Sequence, residues 1–339
     1  MHPVVKLVSQ RLALGILLLF AASILIFVGT TILPGDVAQQ ILGQGATPES
    51  LANLREELGL NDPPITRYFN WFFGVLQGDL GTALTNGRDI AESIGGRLKN
   101  TLFLAFWAAL ISVPLAISLG LLAVRYLNRW PDKLISAITL TTISIPEFMI
   151  GYVLIFLLSI QLPLWISAMT FLPDGVQSWL LTNLRFSSVA LINDSMSLIE
   201  KIKSITIPII VLTLVVLAHM MRMTRAAILN VMQSAYIETA ELKGLSTINV
   251  IRKHAFPNAI APIVNVVMLN LAYLVVGVVV VEVVFAYPGM GQYLVDHVSK
   301  RDVPVVQASG LIFAAVYIGL NLIADIVSIL ANPRLRHPK

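Results

Sequence analysis

The sequence contains no cysteine among its 339 residues. Disulfide bridges, thiolate metal sites and cysteine nucleophiles are therefore excluded. Charge is also scarce, because only 12% of the residues are Asp, Glu, Lys or Arg, whereas a soluble domain averages about 25%. So few charges cannot cover a soluble globule. A soluble enzyme, a disordered chain and a nucleic-acid-binding protein are excluded, although the isoelectric point is about 9.3.

Apolar residues are abundant instead, at 56% of the chain with a mean hydropathy of +0.81. They concentrate in six windows, and about 20 residues of helix cross a bilayer core. Five windows are long enough and the fourth is at the short limit. The sequence therefore predicts an all-α polytopic membrane protein with six transmembrane helices. The windows are 12–33, 101–124, 134–162, 205–221, 259–281 and 303–330.

The distribution of Lys and Arg predicts the orientation. If the N-terminus is inside, the inner segments hold 13 of the 23 basic residues, and the longer outer segments hold ten basic residues and 13 of the 19 acidic ones. Because basic residues concentrate in inner loops, both termini are expected to be cytoplasmic. The high isoelectric point then reflects topology, since a nucleic-acid patch would need basic and aromatic residues on one solvated face.

These boundaries divide the chain into an N-terminal transmembrane helix (1–33), a small extracytoplasmic segment (34–100), a core of five transmembrane helices (101–330) and a cytoplasmic tail (331–339). In the extracytoplasmic segment, Thr47 and Pro48 have the pattern of a helix start, and Gly59 can end that helix. An aromatic cluster follows, which fits either an interfacial belt or a packed cap. Its members are Tyr68, Phe69, Trp71, Phe72 and Phe73.

The core contains a cytoplasmic loop, 222–257, with the pattern of two short helices. Ser234 can cap the first, and Gly244 stands where a left-handed residue ends a helix. Ser246 can cap the second, which Pro257 is expected to break or kink before the fifth transmembrane helix. A short rigid helix clamped between two spans is a lever, because a partner that moves it also moves the spans.

This loop resembles a family motif. The run Tyr236-Ile-Glu-Thr-Ala-Glu-Leu-Lys-Gly244, then nine residues and His254-Ala-Phe-Pro257, is similar to the E-A-A-x3-G-x9-I-x-L-P loop of ABC-importer permeases. Thr239 and His254 depart from the general motif as the dipeptide/oligopeptide branch habitually does, and Phe256 replaces its Leu.

Further blocks along essentially the whole chain resemble that branch. They are Leu33-Pro-Gly-Asp-Val-Ala38, Glu57-Leu-Gly-Leu-Asn-Asp-Pro-Pro64 with Gly78-Asp-Leu-Gly81, Glu282-Val-Val-Phe-Ala-Tyr-Pro-Gly-Met-Gly291, Arg301-Asp-Val-Pro-Val-Val-Gln307 and Asn332-Pro-Arg-Leu-Arg336.

The resemblance implies a type I ABC importer permease fold. It also implies that the chain is one of two membrane subunits of an importer in the bacterial inner membrane. The expected solutes are peptides or similar small molecules. The implied partners are a second, related permease chain, two ATPase subunits and a periplasmic solute-binding protein. The chain has no Gly-Lys pair and hence no phosphate-binding loop of the G-x-x-x-x-G-K-[ST] type. It is therefore expected to bind no cofactor or metal, to be no enzyme on its own, and to leave ATP and magnesium to the ATPases.

The resemblance also implies which residues couple the chain to the ATPase: Tyr236, Glu238, Thr239, Ala240, Lys243, Gly244 and Pro257. Simpler roles compete with coupling. Gly244 can merely end a helix, and Glu238 can merely compensate the helix dipole. Ala240 offers a small face for close approach, and Pro257 is expected to set the angle of the lever.

Three carboxyl groups lie within the predicted spans or at the end of one, where ionisable groups are costly and commonly functional. Glu147 falls halfway along the third window beside Pro146, and the related branch more often has an uncharged residue there. It is either protonated or paired with a neighbouring helix, or it lines the translocation path and meets a cationic part of the solute. Glu282 is a second path candidate, for which a structural hydrogen bond near the outer gate is favoured. Asp325 is expected to pair with a basic residue.

The turn Pro288-Gly-Met-Gly291 and the helix after it are interpreted as an outer gate or docking surface. A stand-alone secondary transporter or channel, with the three carboxyl groups as a proton path, is the second functional class. The loop 222–257 argues against it, because such a protein has no ATPase to couple to. An intramembrane protease is excluded, since His219 lacks a G-x-S-G partner and no H-E-x-x-H occurs.

Overall fold

The computed structural model of the protein describes residues 3–32 and 37–331. Helices dominate these ranges, and the one β-type pairing in them is an isolated bridge between Thr82 and Asp89. The first four residues of the block that begins at Leu33, and the block that begins at Asn332, lie outside the described residues.

Six helical segments are long and apolar enough to span a bilayer, which confirms the predicted all-α polytopic fold. Helices suit this solvent because they satisfy their own backbone hydrogen bonds where no water is available. The segments are Val5–Ile32, Ile90–Arg125, Glu147–Ala168, Thr206–Met232, Thr247–Val284 and Val303–Val327.

The helices are numbered in chain order. The first half contains α1 (Pro3–Ile32), α2 (Val37–Leu42), α3 (Pro48–Glu57), α4 (Pro64–Leu76), α5 (Ile90–Arg125), α6 (Trp130–Ser144), α7 (Glu147–Leu154), α8 (Leu162–Ala168) and α9 (Asp174–Asn183). The second half contains α10 (Leu198–Ser204), α11 (Thr206–Met232), α12 (Ala235–Leu242), α13 (Thr247–Val250), α14 (Phe256–Val276), α15 (Val279–Val284), α16 (Met290–Ser299) and α17 (Val303–Ala331). Two π-helical stretches, Ile155–Gln161 and Ile251–Ala255, join α7 to α8 and α13 to α14.

Helix α11 lies at the centre of the bundle. It packs against α5, α6, α7 and α14, and 61% of its most apolar window is buried, more than in any other span described. The contact with α5 is close, because a Cβ at Gly120 would lie 2.9 Å from Cγ2 of Thr224. On the outside of the bundle, α17 packs against both α14 and α1.

The first and last spans are also joined by charge. Arg11 Nη1 lies 2.9 Å from Asp325 Oδ2, so α1 and α17 share an ion pair. The expected basic partner for Asp325 is thereby confirmed.

Several predicted boundaries were wrong. The third window is broken at Ile145 and Pro146, since proline lacks an N–H group and forces the preceding residue into an extended conformation. Glu147 therefore begins α7 and does not lie halfway along one continuous span. The fourth span continues to Met232. Within the predicted loop 222–257, the residues outside helices are therefore only those between α11 and α12 and those between α12 and α13.

The segment 34–100, predicted to be extracytoplasmic, has the expected helix start. Thr47 and Ser50 form a capping box at α3, and Gly59 follows that helix with φ +61°. The aromatic cluster lies on α4 and has two faces. Tyr68 hydrogen bonds to Ser23 at 2.8 Å and packs its ring on Phe27 of α1. Phe69 and Phe73 remain exposed, so one face is a packed cap and the other suits an interfacial belt.

Candidate functional site

Helix α12 ends in a Schellman motif. The Gly244 amide donates to the Glu241 carbonyl at 2.8 Å, and the Leu245 amide donates to the Ala240 carbonyl at 3.4 Å. This arrangement needs a left-handed residue at position 244, and Gly244 has φ +79°. The predicted helix end at Gly244 is confirmed. Ser234 precedes the helix in an extended conformation, but its side chain makes no capping hydrogen bond, and the same is true of Ser246 before α13.

One face of α12 is buried against the ends of three spans. Ile237 and Ala240 are 1% and 6% exposed and join an apolar cluster formed by α5, α11, α13 and α14. Burial of a side chain such as isoleucine contributes about 1.5–3 kcal/mol, so α12 is fixed to the spans. The other buried members of this cluster are Val124, Ile228, Val250, Ile251, Ala255, Ala259 and Ile263.

Ala240 therefore differs from its expected role. Its small side chain permits close approach, but the neighbours are helices of the same chain. The surface that α12 offers to a partner consists of other residues.

The opposite face of α12 is exposed. Tyr236, Glu238 and Thr239 of the helix are exposed, as are Lys243 and Gly244 after its end and every residue from 241 to 249. Glu238 occupies the first turn of the helix, where a negative charge is favourable. The exposed surface of the segment 236–249 thus contains five of the seven sequence-predicted coupling residues.

Three apolar side chains on this surface had not been predicted as site residues. Leu242 is 83% exposed, and Leu245 and Ile248 are also exposed. Their spacing of three residues within a short polar turn was the available signal. Leu242 and Leu245 precede the fifth span, which begins at Thr247, and Ile248 lies in its first turn. Grouped exposed apolar side chains at such a position commonly mark a contact with another protein. We call Leu242, Leu245 and Ile248 the apolar tip.

Pro257 does not break the second helix. The π-helical stretch Ile251–Ala255 continues α13 into α14, and Pro257 lies in the first turn of α14, where a missing N–H group is tolerated. The predicted separate helix is thus the start of the fifth span, which runs from Thr247. The turn 243–246 therefore joins α12 directly to that span.

An ion pair fixes α6 to α11 near the same end of the bundle. Arg225 Nε and Nη2 donate to the two carboxylate oxygens of Asp132 at 2.9 and 3.0 Å, and the Asn128 amide donates to the same carboxylate at 2.9 Å. Burial alone would raise the pKa of Asp132, but the hydrogen bonds from Arg225 and Asn128 outweigh it and hold the pKa below its ordinary value. The pair is therefore ionised at neutral pH.

At the opposite end, the carboxylate of Glu282 organises the turn before α16. It accepts hydrogen bonds from Thr101 Oγ1 at 2.6 Å and from the amides of Gly291 and Gln292 at 2.7 and 3.1 Å. Glu282 is fully buried. These contacts satisfy the first amides of α16, where negative charge is favourable, so the favoured structural hydrogen bond is confirmed. In this conformation Glu282 lines no open surface.

Close packing explains the two glycines of this turn. A Cβ at Gly289 would collide with the Glu282 carboxylate, and a Cβ at Gly291 would lie 2.6 Å from Cα of Val279. Asn100 of α5 donates to the Pro288 carbonyl at 2.8 Å, and Tyr287 donates to the Asn100 carbonyl at 2.7 Å. The turn is thereby fixed to α5.

A second carboxylate connects the loop between α16 and α17 to the segment 34–100. Asp302, which precedes α17, accepts hydrogen bonds from the amide and hydroxyl groups of Thr85 at 3.0 and 2.9 Å. The loop before α5 is thus joined to the loop before α17.

Glu147 is half-buried and faces α14. The hydroxyl group of Tyr273 lies 3.5 Å from Glu147 Oε2. The tyrosine ring lies against Gly277, where a Cβ would come within 2.8 Å of Tyr273 Cζ. Pro146 immediately precedes the helix, and its carbonyl accepts the Met149 and Ile150 amides at 3.0 and 3.2 Å. Glu147 and Glu282 are therefore not members of one cluster, because each has its own partners.

No group of three or more His, Asp or Glu side chains in the described ranges is arranged to hold a metal ion.

The comparison with known proteins agrees with this geometry. Residues 112–337 match the family described as binding-protein-dependent transport system inner membrane component, and residues 4–110 match the N-terminal part described for such membrane components. The glutathione transport system permease protein GsiC of Escherichia coli K12 is 33% identical over 330 residues, which are 97% of this chain and 98% of the relative. A provisionally named peptide transport system permease protein of Brucella abortus is 32% identical over 333 residues, which are 98% of this chain and 99% of the relative.

Proposed function

Because this chain belongs to the family of binding-protein-dependent transport system inner membrane components, it is a multi-pass inner-membrane permease subunit of an ABC importer, and we propose that the exposed α12–α13 turn receives an ATPase subunit. The single observation that carries this proposal is the rigid, outward-facing apolar tip next to the Schellman end of α12. The buried face of α12 fixes it to three spans, so a push on the tip moves the membrane part of the importer.

Importers of this family act with a partner permease, ATPases and a solute-binding protein. In finer detail, we propose that two ATPase subunits carry ATP and magnesium and that the partner permease is a related but different chain. Closure of the ATPase pair would swing the two coupling turns and open the spans outward, and hydrolysis would reset them. The ionised Asp132–Arg225 pair supports this mechanism, because it makes α6 move together with α11.

The coupling residues have distinct proposed roles. Tyr236, Glu238, Thr239 and Lys243 contact the ATPase through exposed side chains, and Gly244 shapes the turn between them and the apolar tip. Ala240 and Pro257 act from inside the chain, Ala240 by close packing and Pro257 by directing the start of α14.

We propose a peptide-type solute, delivered by the binding protein. The names of the relatives, which refer to glutathione and to peptides, support this class. Glu147, which follows Pro146 at the start of α7, supplies a negative charge to the path for a cationic part of the solute, such as an amino terminus. Glu282 affects the path indirectly, by fixing the turn before α16.

The topology completes the proposal. Both termini and the loop 222–257 are cytoplasmic, the segment 34–100 is extracytoplasmic, and the five spans within 101–330 form the translocation core with the tail 331–339 inside. The Lys and Arg distribution supports this orientation.

The test is reconstitution of the assembled importer into lipid vesicles. Uptake of a labelled dipeptide or of glutathione should require ATP and the binding protein. Uptake by this chain alone, driven by a proton gradient, would instead identify a secondary transporter.

A variant of the apolar tip tests the coupling surface. Leu242→Asp should weaken association with the ATPase subunits about tenfold or more, because it places a charge in an apolar contact. Leu198→Asp, at an exposed leucine on α10, is the matched control and should leave association unchanged. Equal association of both variants would remove the tip from the interface.

A further inference from the structure

An open cavity of about 500 Å³ lies where three spans end, on the side predicted to be cytoplasmic. The end of α5 and the residues after it form one wall, Leu229 and Met232 of α11 form a second, and α13 forms the third. Glu241 of α12 lies at its rim. Because three spans leave the bilayer here, the cavity is at the level of the lipid headgroups.

The cavity carries an excess of positive charge. Arg125 and Arg129 line it, and Glu241 is the one acidic residue in its lining. Arg125 lies 5.1 Å from the ring centroid of Tyr126, and neither arginine forms an ion pair with the described part of the chain. Arg225 differs, because Asp132 binds its guanidinium group. Two exposed guanidinium groups are thus available to a ligand.

The surroundings of these arginines are apolar. Val124, Leu229, Met232 and Ile248 contribute to the lining, and Leu127 and Trp130 are 41% and 74% exposed. Tryptophan is enriched at membrane–water interfaces. A ligand for this cavity therefore combines an anionic group with an apolar body.

We infer that the cavity binds the headgroup of an anionic phospholipid. The phosphate lies between Arg125 and Arg129, because the planar guanidinium fork matches phosphate oxygens. The acyl chains follow Leu127 and α11 into the bilayer. Basic pockets between spans on the cytoplasmic side are suited to acidic headgroups.

The position of the cavity gives the lipid a role in regulation. Its lining includes Glu241 of α12 and Thr247 and Ile248 of α13, which are the two helices that flank the turn 243–246. A bound lipid therefore contacts the coupling turn and restrains its movement. The activity of the assembled importer should then depend on the anionic lipid content of the membrane.

The experiment is native mass spectrometry of the assembled importer after reconstitution in phosphatidylcholine with and without phosphatidylglycerol. Wild-type importer should retain phosphatidylglycerol, and Arg125→Gln/Arg129→Gln should retain it about tenfold less. Lys133→Gln is the matched control, because Lys133 is an exposed cation four residues from Arg129 that does not line the cavity. It should change retention less than about twofold.

ATP hydrolysis in the same vesicles separates the possible ligands. Wild-type importer should respond to phosphatidylglycerol, and the double variant should not. Equal lipid retention by the wild type and the double variant would overturn the inference. Loss of the ATPase subunits from the double variant in both lipid mixtures would also overturn the inference, because it would assign the arginines to a protein contact. A response to inorganic phosphate in pure phosphatidylcholine would assign the cavity to a soluble anion and would also overturn it.

Discussion

The carboxylate of Glu282 occupies the space that a side chain at residue 289 would need. Gly289 is not in a left-handed conformation, since its φ is −99°, so the requirement for glycine is steric. The same carboxylate accepts the amides of Gly291 and Gln292 at the start of α16. One buried side chain therefore determines both the backbone path of the outer turn and the position of the helix after it.

Gly289→Ala should destabilise the protein by about 1–3 kcal/mol, because the new methyl group displaces the Glu282 carboxylate from the amides it accepts. Thermal unfolding of the purified importer measures the effect. Gly95→Ala, in α5 with open space around it, is the control and should be neutral or slightly stabilising. In a Glu282→Ala background the cost of Gly289→Ala should largely vanish, and a cost that persists would contradict the steric explanation.

Gly244→Val should uncouple the importer. A β-branched residue at φ +79° costs roughly 1–2 kcal/mol, so the Schellman end of α12 opens and the apolar tip moves. The factor by which uptake into vesicles falls should be about ten times the factor by which ATP hydrolysis falls. Gly244→Asn, which tolerates the left-handed conformation, should preserve uptake. Normal uptake by the valine variant would show that the turn is not part of the coupling surface.

Asp132→Asn should lower stability by about 1–3 kcal/mol, because it leaves the partly buried Arg225 without a charged partner. The pKa of Asp132 is below its ordinary value, so the stabilisation is complete above that ordinary value of 3.8 and is lost only as the pH falls through the lowered pKa. The difference in unfolding temperature between wild type and variant should therefore be constant from about pH 5 to about pH 8.

A difference that declined within this range would contradict the assignment. Asp194→Asn is the control, since Asp194 is fully exposed and its nitrogen–oxygen distance to Lys201 is 4.0 Å. It should have almost no effect on stability.

Glu147→Gln should reduce uptake of cationic peptides about tenfold relative to neutral ones, because it removes the charge that meets them. Tyr273→Phe, which removes the hydroxyl group facing Glu147, and Gly277→Ala, which displaces the tyrosine ring, should produce smaller changes in the same direction. Tyr317→Phe, at an exposed tyrosine of α17, is the matched control. Equal losses for cationic and neutral peptides would remove Glu147 from the path.

The absence of cysteine makes the orientation directly measurable, because single cysteines can be added to the natural chain. Ser246→Cys and Ser195→Cys place exposed thiols in loops at opposite predicted sides. A membrane-impermeant maleimide should label Ser195→Cys in intact spheroplasts and should label Ser246→Cys only after lysis. The reverse pattern would invert the topology.

Local patterns predicted a large part of this structure. Gly244 as a helix end, Thr47 as a helix start and a basic partner for Asp325 all follow from rules that involve a few neighbouring residues or a single charge. The same reasoning placed Glu147 in mid-span and expected Pro257 to break or kink a helix. Both errors concern prolines, because whether a proline breaks a helix depends on the backbone geometry around it, which a π-helical stretch can accommodate.

Composition and hydropathy alone predicted an all-α membrane protein with six spans, and the resemblance of the loop 222–257 to a family motif implied an importer. Neither signal depends on which helices are neighbours. Only the tertiary structure decided that Ala240 faces its own chain, that the apolar tip faces outward and that Glu282 holds the start of α16. It also decided that Arg125 and Arg129 form no ion pair with the residues that the structure describes. These facts depend on contacts between residues far apart in the chain, such as Thr101 with Glu282 and Asp132 with Arg225. Long-range packing therefore determined the direction in which each functional side chain points.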